Sequence, residues 1–585
     1  MLVHIIFFLL AITVNGQYYL RGEVKDEKNQ PLQNVRIMSL TDRLLYFSGL
    51  SGGFGIVTKH LNDTLSFVLE GYETKVMSIK TNIWQDIKLK AIQSNNNLNR
   101  HKLISVTKDL KKTLKYQWFT KDETYFQLVE NDLVDAYRFP NTGFSLNVNK
   151  ASYSNIRRFL NTNSEVPPDA VRTEELLNYF NLHYREPENG SVFKIESQLS
   201  SCPWDPDRQL LFLNINAKKL DLGKVPASNF VFLIDNSGSM DMPNRLPLLK
   251  AAFQMLIKNL RAKDTVSIVT YGGGVRIWMQ PTAGNNKEKI LRSIEELEAE
   301  GDTPGESAIM TAYQLAKRTF IKGGNNRIIL ATDGDFNVGQ TSEKSLEELI
   351  IKEKKSGVYL TCLGVGMGNY KDSKLQILAN KGNGNFAYLD DINEAEKVLV
   401  KELTQTFYSV ANDVTLNIRF NPNMVKEYRL IGFDNKKDAI TDSTADLEGG
   451  EIGSGNSVNA LFEIVPTEKN FSDNSAMLND EIANLSLLYN SINDTLHQKL
   501  QYYCLHNFEE FNNIDKDYQF GVALSMFAMK LKQSKYSKNI DWNDIEIIAT
   551  NAMDPASYLQ NEFLRLIGKA KKVYGRKKKH KGSII

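Results

Sequence analysis

The sequence predicts a multidomain α/β plus β protein: a central doubly wound parallel sheet, flanked by a small N-terminal β-sandwich and by mixed α+β regions. Three observations predict it. Between Asn229 and about Ala411, short apolar runs alternate with longer amphipathic segments. Residues 18–90 instead alternate apolar and polar side chains between Gly, Asn and Asp turns. After Asp413 the chain becomes strand-rich, and from Tyr518 it reads as helical. With 585 residues there is room for about three to five folded units of ~100–200 residues. A hydrophobic fraction of 42% and a charged fraction of 24% exclude wholesale disorder, a collagen-like chain and a disulfide-dense scaffold. Lys+Arg 71 against Asp+Glu 69 leaves no chain-wide basic balance, so nucleic acid is not expected as a partner.

In chain order, Leu2 to Val14 is an almost unbroken apolar run ending in Val14-Asn15-Gly16. Thirteen residues of helix reach roughly 20 Å, short of the ~30 Å hydrocarbon core. Residues 1–16 therefore read as a signal peptide cleaved after Gly16, placing the chain in the periplasm, the cell envelope or outside the cell. Residues 17–92 form the β-sandwich. Tyr18 to Val24 meets a polar turn at Asp26 to Gln30, and Pro31 to Ile37, Gly52 to Ile56 and Leu65 to Leu69 continue the alternation. Residues 93–130 are a linker, opening with the polar Ser94 to Asn99. In residues 131–226, Ala151 to Leu160 and Val171 to Phe180 read as helices, the second capped by Pro167-Pro168-Asp169.

Residues 227–412 carry the central sheet. Phe230 to Ile234 is apolar on both faces, and Val266 to Val269, Val275 to Trp278, Ile328 to Leu330 and Val358 to Leu360 follow. Helices are expected at Leu248 to Leu260, Ile290 to Glu298, Ser307 to Phe320, Glu343 to Lys355 and Glu394 to Phe407. Parallel neighbours need crossover connections, which these helices supply. Residues 413–568 hold strands at Val414 to Phe420, Glu427 to Gly432 and Ala460 to Val465, then helices at Phe520 to Gln533 and Leu559 to Val573. Residues 569–585 are a tail with eight Lys/Arg and no acid. A solvated, disordered end is the simpler reading of it, and a membrane contact would be at most peripheral. Three well-separated cysteines, Cys202, Cys362 and Cys504, argue against a CxxC metal site or a disulfide framework.

The chemistry concentrates where strand Phe230–Ile234 runs into Asp235-Asn236-Ser237-Gly238-Ser239. Ligands of open α/β sheets bind past the C-terminal strand ends. One carboxylate and two hydroxyls at alternate positions are hard oxygen donors, suited to Mg²⁺, Mn²⁺ or Ca²⁺ rather than zinc or copper. Thr332-Asp333-Gly334 stands at a second strand end, and Glu300-Gly301-Asp302-Thr303-Pro304-Gly305 forms a third loop before a helix. Converged, Asp235, Ser237, Ser239, Thr303 and Asp333 would surround one ion. Each loop alone is no more than a turn with capping hydroxyls. Gly272-Gly273-Gly274 and Gly364-x-Gly366-x-Gly368 open no helix in the dinucleotide pattern, so no phosphate cradle is expected.

Asp-x-Ser-x-Ser after a buried strand, the Thr303 loop and Thr332-Asp333-Gly334 together resemble the metal-ion-dependent adhesion site of von Willebrand factor type A domains, whose sheet is Rossmann-like. That resemblance implies that Ser237, Ser239 and Thr303 bind the ion directly, and that Asp235 and Asp333 act largely through water and hydrogen bonds. It implies Mg²⁺, with Mn²⁺ or Ca²⁺ as alternatives, and an open position that takes a carboxylate from a protein partner. Asp302 stands where many relatives carry a small residue; a third acid there would reduce that appetite or shift the site toward Ca²⁺. Beyond this domain, Phe144 to Tyr153, Ala170 to Phe180, Cys202-Pro203-Trp204, Asp333 to Gly339, Tyr428 to Phe433, Gly450 to Gly455 and Phe520 to Tyr536 are similar to the YfbK-like bacterial family. Residues 18–90 resemble the carboxypeptidase-regulatory-like β-sandwich, which implies a module and not peptidase activity. The expectation is a non-enzymatic, exported adhesion or scaffold protein. The alternatives are a metal-dependent phosphohydrolase and a structural envelope protein with a vestigial metal site.

Overall fold

Residues 18–41, 45–49, 51–69, 72–81, 83–90, 123–221, 223–301, 305–334, 343–367, 370–434, 450–468, 480–491 and 497–580 are described by the computed structural model. The proposed leader and most of the linker lie outside them. The chain divides into two units, Met1–Tyr116 and Gln117–Ile585.

Among its described residues the first unit has seven strands: β1 (Tyr18–Asp26), β2 (Arg36–Ser39), β3 (Leu45–Phe47), β4 (Gly53–Thr58), β5 (Asn62–Val68), β6 (Lys75–Lys80) and β7 (Gln85–Leu89). They form two sheets, β4-β1-β7 and β3-β2-β5-β6. The sequence alternation becomes a shared interior of Leu20, Val24, Ile37, Ile56, Leu65, Phe67, Ile79, Ile87 and Leu89. The Asp26 carboxylate closes the first turn by accepting from the main-chain N–H of Lys28 and Gln30, both at 2.8 Å.

In the second unit, β8 (Val134–Asp135), β9 (Asn141–Thr142), α1 (Ala151–Asn161), α2 (Thr173–Tyr179), β10 (Phe193–Ser201) and β11 (Gln209–Ala217) come first. Pro168–Ala170 makes a 3₁₀ turn of its own, and α2 starts only after Arg172, with no side-chain cap. The Pro-Pro-Asp stretch therefore precedes the helix rather than capping it. Proline's fixed φ favours a separate tight turn. Residues 123–130, at the end of the stretch expected as a linker, make contacts with the segment that follows. Glu123 is buried against the Arg158 guanidinium at 2.7 Å, and Leu128 N–H donates to Asp169 at 3.0 Å.

The central domain contains β12 (Ser228–Asp235), α3 (Leu246–Lys258), β13 (Thr265–Tyr271), β14 (Val275–Ala283), α4 (Lys287–Glu295), α5 (Gly305–Arg318), β15 (Asn325–Thr332), α6 (Glu343–Lys354), β16 (Tyr359–Gly364), α7 (Asp372–Lys381), β17 (Phe386–Tyr388), α8 (Ile392–Glu396) and α9 (Leu403–Phe407). The sheet order is β14-β13-β12-β15-β16-β17. Strands β13, β12, β15, β16 and β17 are parallel, whereas β14 runs antiparallel to β13. Only Gly272-Gly273-Gly274 joins those two, too short for a crossover. Strand β12 is buried at every position. Phe230, Phe232 and Ile234 face α3, while Val231 and Leu233 face α5, as a sheet covered on both sides requires. The single helix expected at 394–407 is broken by a π turn at Lys397–Lys401.

The last stretch has β18 (Ser409–Phe420), β19 (Val425–Ile431), β20 (Gly450–Gly453), β21 (Ser457–Pro466), β22 (Glu481–Ser491), β23 (His497–Leu505), β24 (Phe508–Glu509), α10 (Lys516–Lys532), α11 (Trp542–Ala552) and α12 (Tyr558–His580). It interleaves with the segment before the central domain. One sheet runs β24-β10-β11-β21-β19-β8, and a second runs β20-β18-β22-β23 with β9 on β18. Strand β11 shows why: all nine residues are buried. Leu211, Leu213 and Ile215 face the second sheet, and Leu210 and Phe212 face a helical layer built from α1, α2, α10, α11 and α12. Residues 569–580, expected as a solvated end, belong to α12. Ala570 is fully buried and Tyr574 packs on Trp542, so one side of this amphipathic helix joins the layer.

Candidate functional site

The site lies at the C-terminal edge of the parallel sheet. Asp235 ends β12 and Asp333 directly follows the neighbouring β15; both are fully buried. Asp235 is held by both oxygens. One accepts from the Ser237 main-chain N–H at 2.9 Å, the other from the Thr332 hydroxyl at 2.8 Å. The Ser237 and Ser239 hydroxyls lie 3.2 Å apart, and the Ser239 hydroxyl donates to Asp333 at 3.0 Å. Gly238 and Ser239 are exposed, so the cluster is walled by the sheet and open to solvent on one side. Burial pushes the Asp235 carboxyl up to about 6, the hydrogen bonds from Ser237 pull it back, and the nearby Asp333 charge raises it further.

The third loop docks on the first. Glu300 N–H donates to the Asn236 carbonyl at 2.6 Å, Gly238 N–H to the Gly301 carbonyl at 3.1 Å, and the Asn236 side chain to the Glu298 carbonyl at 3.0 Å. Gly301 adopts a φ of 67°, and a Cβ there would fall 2.5 Å from Gly273 Cα. The loop that leads to Thr303 is thus drawn against the Asp-x-Ser-x-Ser turn. Thr303 and Asp302 themselves lie outside the described residues.

Of the five expected residues, the structure brings Asp235, Ser237, Ser239 and Asp333 together. Two participants were not expected. Thr332 anchors Asp235. Arg245, one residue before α3 and 5% exposed, donates to Asp333 at 2.7 Å, to the Ser239 carbonyl at 2.7 Å and to the Met367 carbonyl at 2.9 Å. No spacing in a single sequence announces that an arginine ten positions past Asp235 folds back onto the turn. Gly366, with φ of 85°, leaves room for it: a Cβ there would fall 2.6 Å from Arg245 Nε. The donor set fits a hard divalent ion, being all oxygen, partly prepaired and open on one side.

Three family models match the chain: von Willebrand factor type A domain over residues 229–402; uncharacterized protein YfbK, C-terminal, over 405–573; and von Willebrand factor over 119–212. The uncharacterized protein YfbK of Escherichia coli (strain K12) is 38% identical over 461 residues, which is 76% of this chain and 80% of that protein. The chain belongs to the YfbK family. Within this YfbK-family protein, the site described above sits in the von Willebrand factor type A domain. Mouse inter alpha-trypsin inhibitor, heavy chain 4, is 26% identical over 204 residues, 33% of this chain and 21% of that protein. The magnesium-chelatase 67 kDa subunit of Chlorobaculum parvum is 24% identical over 248 residues, 37% of this chain and 39% of that protein. Among solved structures, von Willebrand factor type A from Catenulispora acidiphila has a TM-score of 0.39 at 12% identity, covering 66% of this chain and 91% of that one.

Proposed function

We propose that this YfbK-family protein is an exported, divalent-cation-dependent protein–protein interaction protein, adhesive or scaffolding rather than catalytic. Ser237, Ser239 and Thr303 would hold Mg²⁺ directly, with Mn²⁺ or Ca²⁺ as substitutes, and Asp235 and Asp333 would orient the hydroxyls and waters around it. One observation carries the reading: the Ser237–Ser239–Asp333 hydrogen-bonded row beside the anchored Asp235, at the open edge of the sheet. Charge supports it. Among the described residues of the cluster, two carboxylates and the Arg245 guanidinium leave one net negative charge, so a divalent ion turns the cluster net positive. An open position in such a site attracts an acidic side chain of a partner. The N-terminal sandwich, read as carboxypeptidase-regulatory-like, and the interleaved flanking body would present the domain. No helix among the described residues is long and apolar enough to cross a membrane, and any membrane contact would be peripheral, through the basic C-terminal segment.

The test combines metal and partner. Mg²⁺ should raise the melting temperature of chelator-stripped protein, and affinity capture should retain a partner only without chelator. Asp235→Ala should abolish both effects. Capture that survives both chelator and Asp235→Ala sinks the proposal, as does a Mg²⁺-dependent phosphatase activity lost in that variant.

A further inference from the structure

We propose a second divalent-cation site, of the zinc and manganese class, made by His183, Asp515 and Asp517. Each residue offers one donor atom, and these atoms lie within 4.8 Å of one another. The imidazole is at the edge of the helical layer, nine-tenths buried, and packs tilted on Tyr518 with 4.4 Å between ring centroids. Its Nδ1 points at Asp515 Oδ2 from 3.5 Å, and its Nε2 faces Glu196 Oε2 from 3.5 Å. Neither His183 Nδ1 nor Glu196 Oε2, both buried, has a hydrogen-bond partner.

A neutral imidazole carries one N–H and one lone pair. With the proton on Nε2, toward Glu196, the Nδ1 lone pair confronts carboxylate oxygens, an arrangement that calls for a positive charge between them. The other oxygens are already aimed. Asp517 Oδ2 accepts from the His183 main-chain N–H at 2.9 Å, and Asp515 Oδ1 caps α10 by accepting from Asp517 N–H at 2.8 Å, leaving Asp515 Oδ2 toward the ring. A carboxylate on the far imidazole nitrogen is the usual outer support of a histidine metal ligand, fixing tautomer and ring plane. Donor atoms of one zinc or manganese ion stand about 2.0–2.2 Å from it. Asp515, the most exposed of the three, is the ligand that would turn to close the set. Arg185 Nη2 lies 3.7 Å from Asp515 Oδ2, and Lys194 Nζ lies 3.6 Å from Glu196 Oε1. They temper the negative charge around the cluster.

One imidazole with two carboxylates suits zinc or manganese better than magnesium, unlike the all-oxygen site on the sheet edge. His183 precedes the central domain and the two aspartates follow it, so the ion would staple the sequence-distant halves of the flanking body.

The test uses the full chain carrying Asp235→Ala, which disables the first site. After chelator treatment, calorimetry with Zn²⁺ should show one equivalent bound and a raised melting temperature. His183→Gln in that background should lose the equivalent, and Asp515→Asn should weaken it by about tenfold or more. If His183→Gln fails to fold, Asp515→Asn, which keeps the cap, gives the same reading. An Asp235→Ala chain that binds no Zn²⁺, or binding unchanged by both substitutions, overturns the proposal.

Discussion

Arg245 is the residue on which the sheet-edge site turns. Its guanidinium neutralises the buried Asp333 and ties it to the Ser239 and Met367 carbonyls. Removing it has two consequences of opposite sign. Asp333 loses its ion-pair partner, which costs a buried carboxylate about 3 kcal/mol. The cluster also becomes more negative, so a divalent ion competes with one charge fewer. Arg245→Gln should lower the melting temperature of the stripped protein yet tighten Mg²⁺ binding by about tenfold, read by calorimetry. Glu174 offers a second residue-scale test. Burial, then the charges of Asp434 and Glu175, push its carboxyl from the ordinary range up to about 7. The native state thus holds the proton longer than the unfolded chain. The stability tied to this group is present at acid pH and is lost as pH rises toward 7. Glu174 accepts from the Phe433 main-chain N–H at 2.8 Å, a bond that a glutamine oxygen keeps. Glu174→Gln should raise the melting temperature at pH 8 by about 2–4 °C and leave it nearly unchanged at pH 4.

At the scale of elements, the turn between β13 and β14 links the sheet to the site. A Cβ on Gly272 would lie 2.5 Å from the Glu300 carbonyl oxygen and 2.6 Å from that of Asn236, the two loops that flank the candidate ion. Gly272→Ala should destabilise by about 1–3 kcal/mol in chemical denaturation and weaken Mg²⁺ binding in parallel. Gly274→Ala is the control for backbone strain alone: its φ is 143°, but nothing stands within 4 Å of a Cβ there. The same elements show what the sequence makes legible. Strands β12, β13 and β15 are buried on both faces and announce themselves as unbroken apolar runs. The four described site residues could be named because they follow strands of that kind. Strand β17 spans only Phe386–Tyr388, too short for any period to register. In β23, exposed residues alternate with half-buried ones up to the buried Cys504, and its apolar face emerges only beside β22. Helix α7 packs through Leu375, Leu378 and Ala379, a stripe too narrow to stand out beside its polar neighbours. Arg245 and Thr332 escaped because their roles depend on which loops meet, which local pattern does not encode.

Over the whole molecule, three buried arginines bind the central domain to the flanking body. Arg157 on α1 reaches Glu394 at 2.7 Å and Glu562 on α12 at 2.9 Å, and also pairs with Asp390. Arg172 reaches Asp372 at the start of α7 at 2.7 Å. Arg327 on β15 donates twice to Glu451 on β20, at 2.9 and 3.1 Å. These pairs bring little net stability against apolar packing, but stripping one partner leaves an uncompensated charge inside. Arg157→Met, which strands three carboxyls, should cost about 3–5 kcal/mol in denaturant unfolding. Arg327→Met should cost less, since it strands Glu451 alone. The comparison separates a cooperative network from a set of independent pairs.

The interleaved sheets also set an order of events during synthesis. Strand β10 finds its partners β11 and β24 on opposite sides of the central domain, and α1 packs against α12, which lies beyond that domain in sequence. The central domain is one continuous stretch of chain and can collapse by itself, but its surroundings must wait, half-built and sticky, until the segments on both sides of it have been made.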